Sequence, residues 1–304
     1  MNKAAAIYDF SQYPVSFDSC NFFAIFATLC EKARIDSVSL FVICENFRSA
    51  PVEDDYTAHY QHQKMLDCVV SLGQLTKYID NIHIVNSLEG LEYGHYDFLI
   101  DGIKPGSSLP RLYDFKTIEE LVGDIDCDFL NQLFQPFPSD RKKVEWCDNN
   151  VLFFKRNSEY NLPRNTPDQL FEKAVEVLAA NGIDAVVIED KERRSTNAPS
   201  RTLMDTLSER LAAAERSRLS IAWGGGVSAP LWFSQARLLI CGMINEAVPV
   251  DSAEMAARKG PFRNVQPRWF KNQKQFWWEE NQLITPERLA LKCIDILEEH
   301  ENLN

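Results

Sequence analysis

The chain of 304 residues is long enough for about two domains of ordinary size. Its 45% hydrophobic and 25% charged residues are typical of globular proteins with a buried core. A net charge of -12 argues against a broad binding surface for nucleic acids or anionic membranes. We therefore expect no nucleic-acid partner, although a locally basic pocket for a phosphorylated ligand is compatible with this charge.

The eight cysteines are scattered singly, and several lie within apolar runs. They form no CxxC pair and no spacing typical of a zinc site, so we predict neither a metal site nor a disulfide framework. The apolar stretch near the N-terminus is too short for a signal peptide, and no later segment approaches the length of a transmembrane helix. These features predict a soluble protein in the reducing cytoplasm.

The first half of the chain alternates patterns typical of strands and helices. Thr117 with Glu120 resembles a capping box at the start of a short helix. Before it, the predicted elements are a strand over 4–10, a helix over 16–34, a strand over 37–45, a helix over 64–79 and strands over 83–85 and 96–100. Such alternation indicates βαβ units on a parallel sheet.

The second half repeats this alternation with clearer boundary signals. Thr166-Pro167 and Thr285-Pro286 each combine a capping residue with proline at the first helical position, which predicts two helix starts. The predicted elements are strands over 151–155, 184–189, 219–223 and 238–242 and helices over 166–180, 203–216, 229–236 and 285–299. We therefore predict two α/β domains, residues 1–149 and 150–304.

A run of three glycines, Gly224-Gly225-Gly226, separates a predicted strand from a short helix. Glycines let a ligand approach the backbone closely, and the start of a helix favours a phosphate. Ser228 could cap that helix or donate to the same phosphate oxygen. The run matches neither GxGxxG nor a P-loop, so a tight turn without a ligand is an equal alternative.

The order of elements in the second half resembles the donor-binding domain of GT-B glycosyltransferases, which have two Rossmann-like domains and use nucleotide sugars. The similarity lies in FEKAVEVLAANGIDAVVIED, LMDTLSERLAAAERS, LSIAWGGGVSAPLWFSQARLLICG and ITPERLALKCIDILEE. It covers roughly residues 150–300, whereas the first half matches only as a generic α/β domain. The resemblance implies parallel sheets that face each other across a cleft, with residues 1–149 on the acceptor side. Residues 150–304 would bind the donor and end in a closing helix.

The resemblance implies a donor site in the second domain. Its arginines would clamp a phosphate, its glycine turn and serine would face the diphosphate or sugar, and its glutamate would accept hydrogen bonds from ribose. The residues concerned are Arg156, Arg164, Glu189, Gly224, Gly225, Gly226 and Ser228. Alternatively, the arginines and the glutamate are solvated loop charges.

An inverting transferase also needs a base that takes the proton of the acceptor hydroxyl. Asp9, at the end of the first strand, and Asp18, at the start of the following helix, are the candidates in the first domain. Asp18 could instead be an ordinary N-terminal helix charge.

Residues 259–280 interleave cations with aromatic residues, which suits stacking on sugar rings or on a partner surface. Trp269, Trp277 and Trp278 are the candidates for this stacking. The same residues could instead hold the last helix across both domains. The tract is also compatible with a homo-oligomer.

The resemblance implies a metal-independent glycosyltransferase, as in polysaccharide biosynthesis. It would move a sugar from a nucleotide-sugar donor to a carbohydrate or lipid-linked acceptor, with no cofactor and at most peripheral contact with a membrane. Two alternatives stay open. One is a nucleotide-sugar epimerase, and the other is a non-catalytic α/β protein that acts through partner contacts.

Overall fold

A computed structural model describes residues 2–10, 17, 19–44, 65–87, 89, 96–101, 115–157, 165–191, 206–244, 266–271, 273–280 and 284–301. The chain divides into two compact units, Met1–Gln135 and Pro136–Asn304. None of the helices in these ranges is both long enough and apolar enough to cross a lipid bilayer.

The first unit contains a four-stranded sheet. Its strands are β1 (Asn2–Asp9), β2 (Ile35–Ile43), β3 (Ile79–Val85) and β4 (Phe98–Asp101). They are all parallel, in the order β3-β2-β1-β4. The helices of this unit are α1 (Ser19–Ala33), α2 (Ser71–Leu75), which follows a π-helical turn, and α3 (Phe115–Val122).

Residues of the first unit are apolar where the sheet and α1 meet. Ala4, Ala5 and Ala6 in the central strand β1 are fully buried, as expected for a parallel strand covered on both faces. Phe22 and Phe26 lie four residues apart on α1, and both are buried. These two phenylalanines therefore contribute one face of α1 to the core.

The second unit contains a five-stranded parallel sheet. Its strands are β5 (Val151–Asn157), β6 (Ala185–Lys191), β7 (Leu219–Trp223), β8 (Leu238–Ile244) and β9 (Lys274–Glu280). Their order is β6-β5-β7-β8-β9. The helices are α4 (Pro138–Lys143), α5 (Leu170–Ala180), α6 (Leu207–Arg216) and α7 (Pro286–Glu301), with a 3-10 helix over Gly226–Phe233.

Helices cover both faces of this second sheet. On one face, Phe153 and Ile221 pack into a buried cluster with Phe171 of α5 and Leu289 of α7. On the other face, the hydroxyl of Ser220 lies 3.4 Å from the carbonyl oxygen of Ala214, near the end of α6. Three layers around parallel strands confirm the predicted α/β class with parallel sheets.

Residues 136–150 pack with the second unit, whereas the sequence placed the domain division near residue 150. The backbone N–H of Phe137 donates to Ser208 Oγ at 2.8 Å, and Lys143 Nζ lies 2.9 Å from Glu209 Oε1. Arg141 forms a further ion pair with Glu215. These contacts attach α4 to α6, although α4 precedes the whole second sheet in the chain.

Two predicted helix starts differ from the structure. Thr117 is the third residue of α3, which begins at Phe115, so Thr117 does not cap this helix. Thr166 does not cap α5, because its hydroxyl accepts a hydrogen bond from the backbone of Arg156 and the helix begins only at Leu170. At Thr285 the prediction is confirmed, since its hydroxyl accepts from the backbone N–H of Arg288 at 3.3 Å.

The cap of α6 gives a first testable prediction. Thr206 Oγ1 accepts a hydrogen bond from the backbone N–H of Glu209 at 3.1 Å. We expect Thr206→Ala to lower the free energy of unfolding by about 1 kcal/mol, because it leaves an N-terminal amide without its cap. Urea denaturation would measure the loss, and Thr206→Ser should restore most of it. Equal stability of the alanine variant and the parent protein would contradict a capping role.

Candidate functional site

The strand order of the second sheet indicates where a ligand would bind. From β5 the chain moves outwards to β6 and then crosses to β7 on the other side of β5. In open parallel sheets, ligands bind at the carboxyl ends of the strands where the order reverses in this way. Here that point lies between the ends of β5 and β7, at Arg156 and Trp223.

A pocket lies at this point of the sheet. Lys155, Arg156 and Arg210 supply three cations, and buried apolar side chains supply the remaining wall. The full lining is Phe154, Lys155, Arg156, Leu207, Arg210, Trp223, Gly225, Ser228 and Leu231. The pocket encloses about 20 Å³, which is room for a single water molecule. Three cations in one small pocket contrast with the acidic charge of the whole chain.

The side chain of Arg156 lies directly on the backbone of Gly225. A Cβ atom built on Gly225 would lie 2.7 Å from Arg156 Cδ and 3.0 Å from Nε. Only a residue without a side chain permits this contact. The structure therefore brings together two residues that the sequence assigned to one phosphate site.

The rest of the glycine turn is held by its own hydrogen bonds. The backbone N–H of Gly224 donates to the carbonyl oxygen of Cys241 at 2.8 Å, which extends the pairing of β7 with β8. Ser228 Oγ donates to the carbonyl oxygen of Gly225 at 2.7 Å and accepts from its N–H at 3.3 Å. Ser228 is the third residue of the 3-10 helix that begins at Gly226, so it bonds to the residue before this helix and does not precede a helix over 229–236 as predicted.

Carboxylates of the described residues flank the pocket cations. Lys155 Nζ lies 2.5 Å from Glu172 Oε1 in the first turn of α5. Glu189 is the partner of Lys155 in the register of β5 with β6, so its backbone lies at the same carboxyl edge. The ion pair with Glu172 compensates the charge of Lys155.

Of the remaining predicted site residues, Asp9 belongs to the first unit. Asp9 is the last residue of β1, half-buried at the carboxyl edge of the first sheet. Asp18 and Arg164 lie outside the described residues, as does the side chain of Trp278 in β9. The pocket residues that the sequence did not indicate include Arg210, which the predicted helix over 203–216 contained without a signal for its role.

Two tryptophans of the aromatic tract lie in the interior. Trp269 is fully buried and stacks on Phe233 with ring centroids 5.6 Å apart. Trp277 is 8% exposed and belongs to the cluster that includes α7, where Arg288 lies 5.8 Å from its ring centroid. Trp277 thus packs with the last helix, whereas Trp269 packs against the 3-10 helix.

The amino end of the same sheet carries a buried charged pair. Lys274, the first residue of β9, donates to the carbonyl oxygens of Trp232, at 3.3 Å, and Ser234. Burial lowers the pKa of Lys274 to about 7, against the opposing effect of Glu215. Burial raises the pKa of Glu215, whose carboxylate accepts from the backbone N–H of Gln235 at 3.1 Å. This pair lies at the strand starts, opposite the pocket, and has a structural role.

Within the described ranges, no group of three or more histidine, cysteine, aspartate or glutamate side chains could hold a metal ion.

Comparison with known proteins gives a likeness of structure only. No protein-family model and no curated protein matches the sequence. A glycosyl transferase of family 9 from Veillonella parvula DSM 2008 shares 10% identity and a TM-score of 0.53, over 98% of this chain and 97% of that one. The ADP-heptose lps heptosyltransferase II of E. coli shares 8% identity and a TM-score of 0.56, over 99% and 100% of the two chains. The chain therefore has the fold of the GT-B-type glycosyltransferases, as the sequence predicted.

Proposed function

We propose that this protein is a glycosyltransferase that binds the diphosphate of a nucleotide-sugar donor at Arg156 and the glycine turn. The observation that carries the proposal is the contact of the Arg156 side chain with the Gly225 backbone at the switch point of the sheet. A guanidinium group binds phosphate oxygens in a bidentate manner.

The chemistry follows from the charge that develops during transfer. An acceptor hydroxyl attacks the anomeric carbon, the bond from that carbon to the diphosphate breaks, and the leaving diphosphate takes the electron pair. Arg156 and Arg210 would stabilise this negative charge, so the proposed mechanism is metal-independent. We propose Asp9 as the base that takes the proton of the acceptor hydroxyl. It is the last residue of β1, at the carboxyl edge of the first sheet, and ligands of open parallel sheets bind at this edge.

Other parts of the proposal rest on the sequence predictions. Arg164 and Asp18 stay predicted members of the site, and Glu189 stays the predicted partner of the ribose. The acceptor would be a carbohydrate or a lipid-linked sugar, reached by peripheral contact with a membrane. All eight cysteines are free thiols, which fits the proposed cytoplasmic location.

Calorimetry with UDP, GDP, CMP and ADP and their sugars tests the proposal. We expect at least one nucleoside diphosphate to bind, and Arg156→Ala to weaken that binding by about tenfold or more through loss of a charge-assisted contact. Arg216→Ala is the matched control. Arg216 is the last residue of α6, pairs with Asp148 and does not line the pocket. Its removal should therefore leave the affinity unchanged.

Calorimetry, followed by assays of sugar transfer and of nucleotide-sugar interconversion, separates the open alternatives. No binding of any nucleotide would overturn the proposal. Binding without transfer of sugar to any carbohydrate acceptor would favour the non-catalytic alternative, and interconversion of two nucleotide sugars would favour an epimerase.

A further inference from the structure

We propose that Thr166 is a positioning residue that holds Arg156 over the glycine turn, an inference that rests on the proposed function. Thr166 is 4% exposed. Its backbone N–H donates to the carbonyl oxygen of Arg156 at 3.0 Å, and its Oγ1 accepts from the backbone N–H of Arg156 at 2.8 Å. A single residue thus binds both main-chain polar groups of Arg156.

These two hydrogen bonds lie beyond the last residue pair between β5 and β7. The last pair between β5 and β7 is Phe154 with Ala222, after which β7 runs into the glycine turn. Arg156 lies two residues beyond that pair, and its main-chain groups bond to Thr166 instead. Thr166 therefore continues the sheet hydrogen bonding of β5 at the residue whose side chain enters the pocket.

The contact with Gly225 makes this support important for binding. The Arg156 side chain lies so close to the Gly225 backbone that not even a methyl group fits between them. A shift of a few tenths of an ångström in the Arg156 backbone would therefore move the guanidinium or force it off the turn. Because Oγ1 is the acceptor for the Arg156 N–H, only threonine or serine can supply this bond at position 166 without a larger side chain.

Three variants test the assignment. Thr166→Val keeps the shape of the side chain but leaves the buried N–H of Arg156 without its acceptor. We expect it to weaken binding of the best nucleoside diphosphate by about three- to tenfold. Thr166→Ser should restore the affinity of the parent protein. Should the valine variant not fold, Thr166→Ala is measured in its place.

A double-mutant cycle separates positioning from a general effect on folding. If Thr166 acts through Arg156, Thr166→Val should change the affinity of the Arg156→Ala variant by less than about twofold. A merely structural role predicts the same fold-change in both backgrounds. The matched control is Thr76→Val, which removes a buried hydroxyl that donates to the carbonyl oxygen of Leu72 at 2.8 Å in the first unit. It should not change nucleotide affinity.

The outcomes distinguish this inference from the proposed function. If the parent protein binds no nucleoside diphosphate, the function and the inference both fail. If the parent protein binds and Arg156→Ala weakens binding, but Thr166→Val has no effect or an additive one, only the positioning role is overturned. Non-additive loss with rescue by serine supports it.

Discussion

Gly225→Val is expected to weaken nucleoside diphosphate binding by on the order of 100-fold, which corresponds to about 2.7 kcal/mol. The new Cβ would lie 2.7 Å from Arg156 Cδ, so the arginine side chain must leave the turn. Loss of the charge-assisted arginine contact alone accounts for about 1.5 to 3 kcal/mol. Calorimetry with the nucleotide that the parent protein binds would measure the change.

The substitution should not unfold the second unit. Gly225 has a φ of 178° and a ψ of 175°, an extended conformation that any residue adopts. The atoms that it displaces belong to a flexible side chain and not to the backbone. We therefore expect a melting temperature within about 3 °C of the parent protein, since a shift of that size corresponds to about 1 kcal/mol for a unit of this size.

Gly182→Ala is the matched control, with the opposite expected effects. Gly182 follows α5 with a φ of 74°, and a Cβ there would meet no atom within 4 Å. Alanine in this left-handed conformation costs about 1 kcal/mol of stability. Nucleotide affinity should stay unchanged, because the residue is not part of the pocket. Parent-like affinity in Gly225→Val would show that the glycine turn does not bind the phosphate.

Much of the fold follows from local sequence signals. The strand predicted over residues 219–223 has the same bounds in the structure, because five consecutive apolar or small residues lie between an arginine and a glycine run. That Arg156 and Gly225 lie at the same edge of the sheet was also predictable, because parallel strands bring their carboxyl ends to one edge. Arg210 was not, because its place in the pocket depends on the strand order, which no local pattern encodes.

Two similar sequence signals show the limit of such prediction. Thr166-Pro167-Asp168 and Thr285-Pro286-Glu287 both carry the pattern of a helix start, yet only Thr285 caps its helix. The hydroxyl of Thr166 instead accepts a hydrogen bond from the backbone N–H of Arg156, ten residues earlier. Whether the threonine caps its helix therefore depends on a tertiary contact, which the local sequence pattern does not encode.

The sequence did not predict strand β9, because its composition is not typical of a strand. Its residues Lys274–Glu280 begin and end with charged side chains and have three adjacent aromatic residues in the middle, so they show no alternation of period two. The strand forms because β8 offers it a full parallel partner from Leu238 to Ile244. The same pairing places the charged group of Lys274 in the interior, which the sequence does not indicate.

This buried lysine predicts a pH-dependent stability. In the unfolded chain the pKa of Lys274 is 10.5, and burial lowers it to about 7 in the folded protein. Between these values the unfolded state binds more protons, so the lysine makes stability rise with pH from about 7 upwards, by about 1.4 kcal/mol per pH unit. The full change up to pH 10.5 is about 5 kcal/mol.

Lys274→Met should remove this dependence. The methionine fills the apolar site without a titrating group, although it leaves the carbonyl oxygens of Trp232 and Ser234 without the lysine. Glu215 keeps Arg141 as its ion-pair partner. We expect the unfolding free energy of the parent protein, relative to this variant, to increase by about 1.4 kcal/mol per unit between pH 7.5 and 9.5. Urea denaturation at several pH values in this window measures it. Lys142→Met, at an exposed position of α4, is the control and should give no slope relative to the parent protein. A constant difference between the parent protein and Lys274→Met would mean that Lys274 stays charged in the folded state, so that Glu215 and the two carbonyl oxygens outweigh its burial.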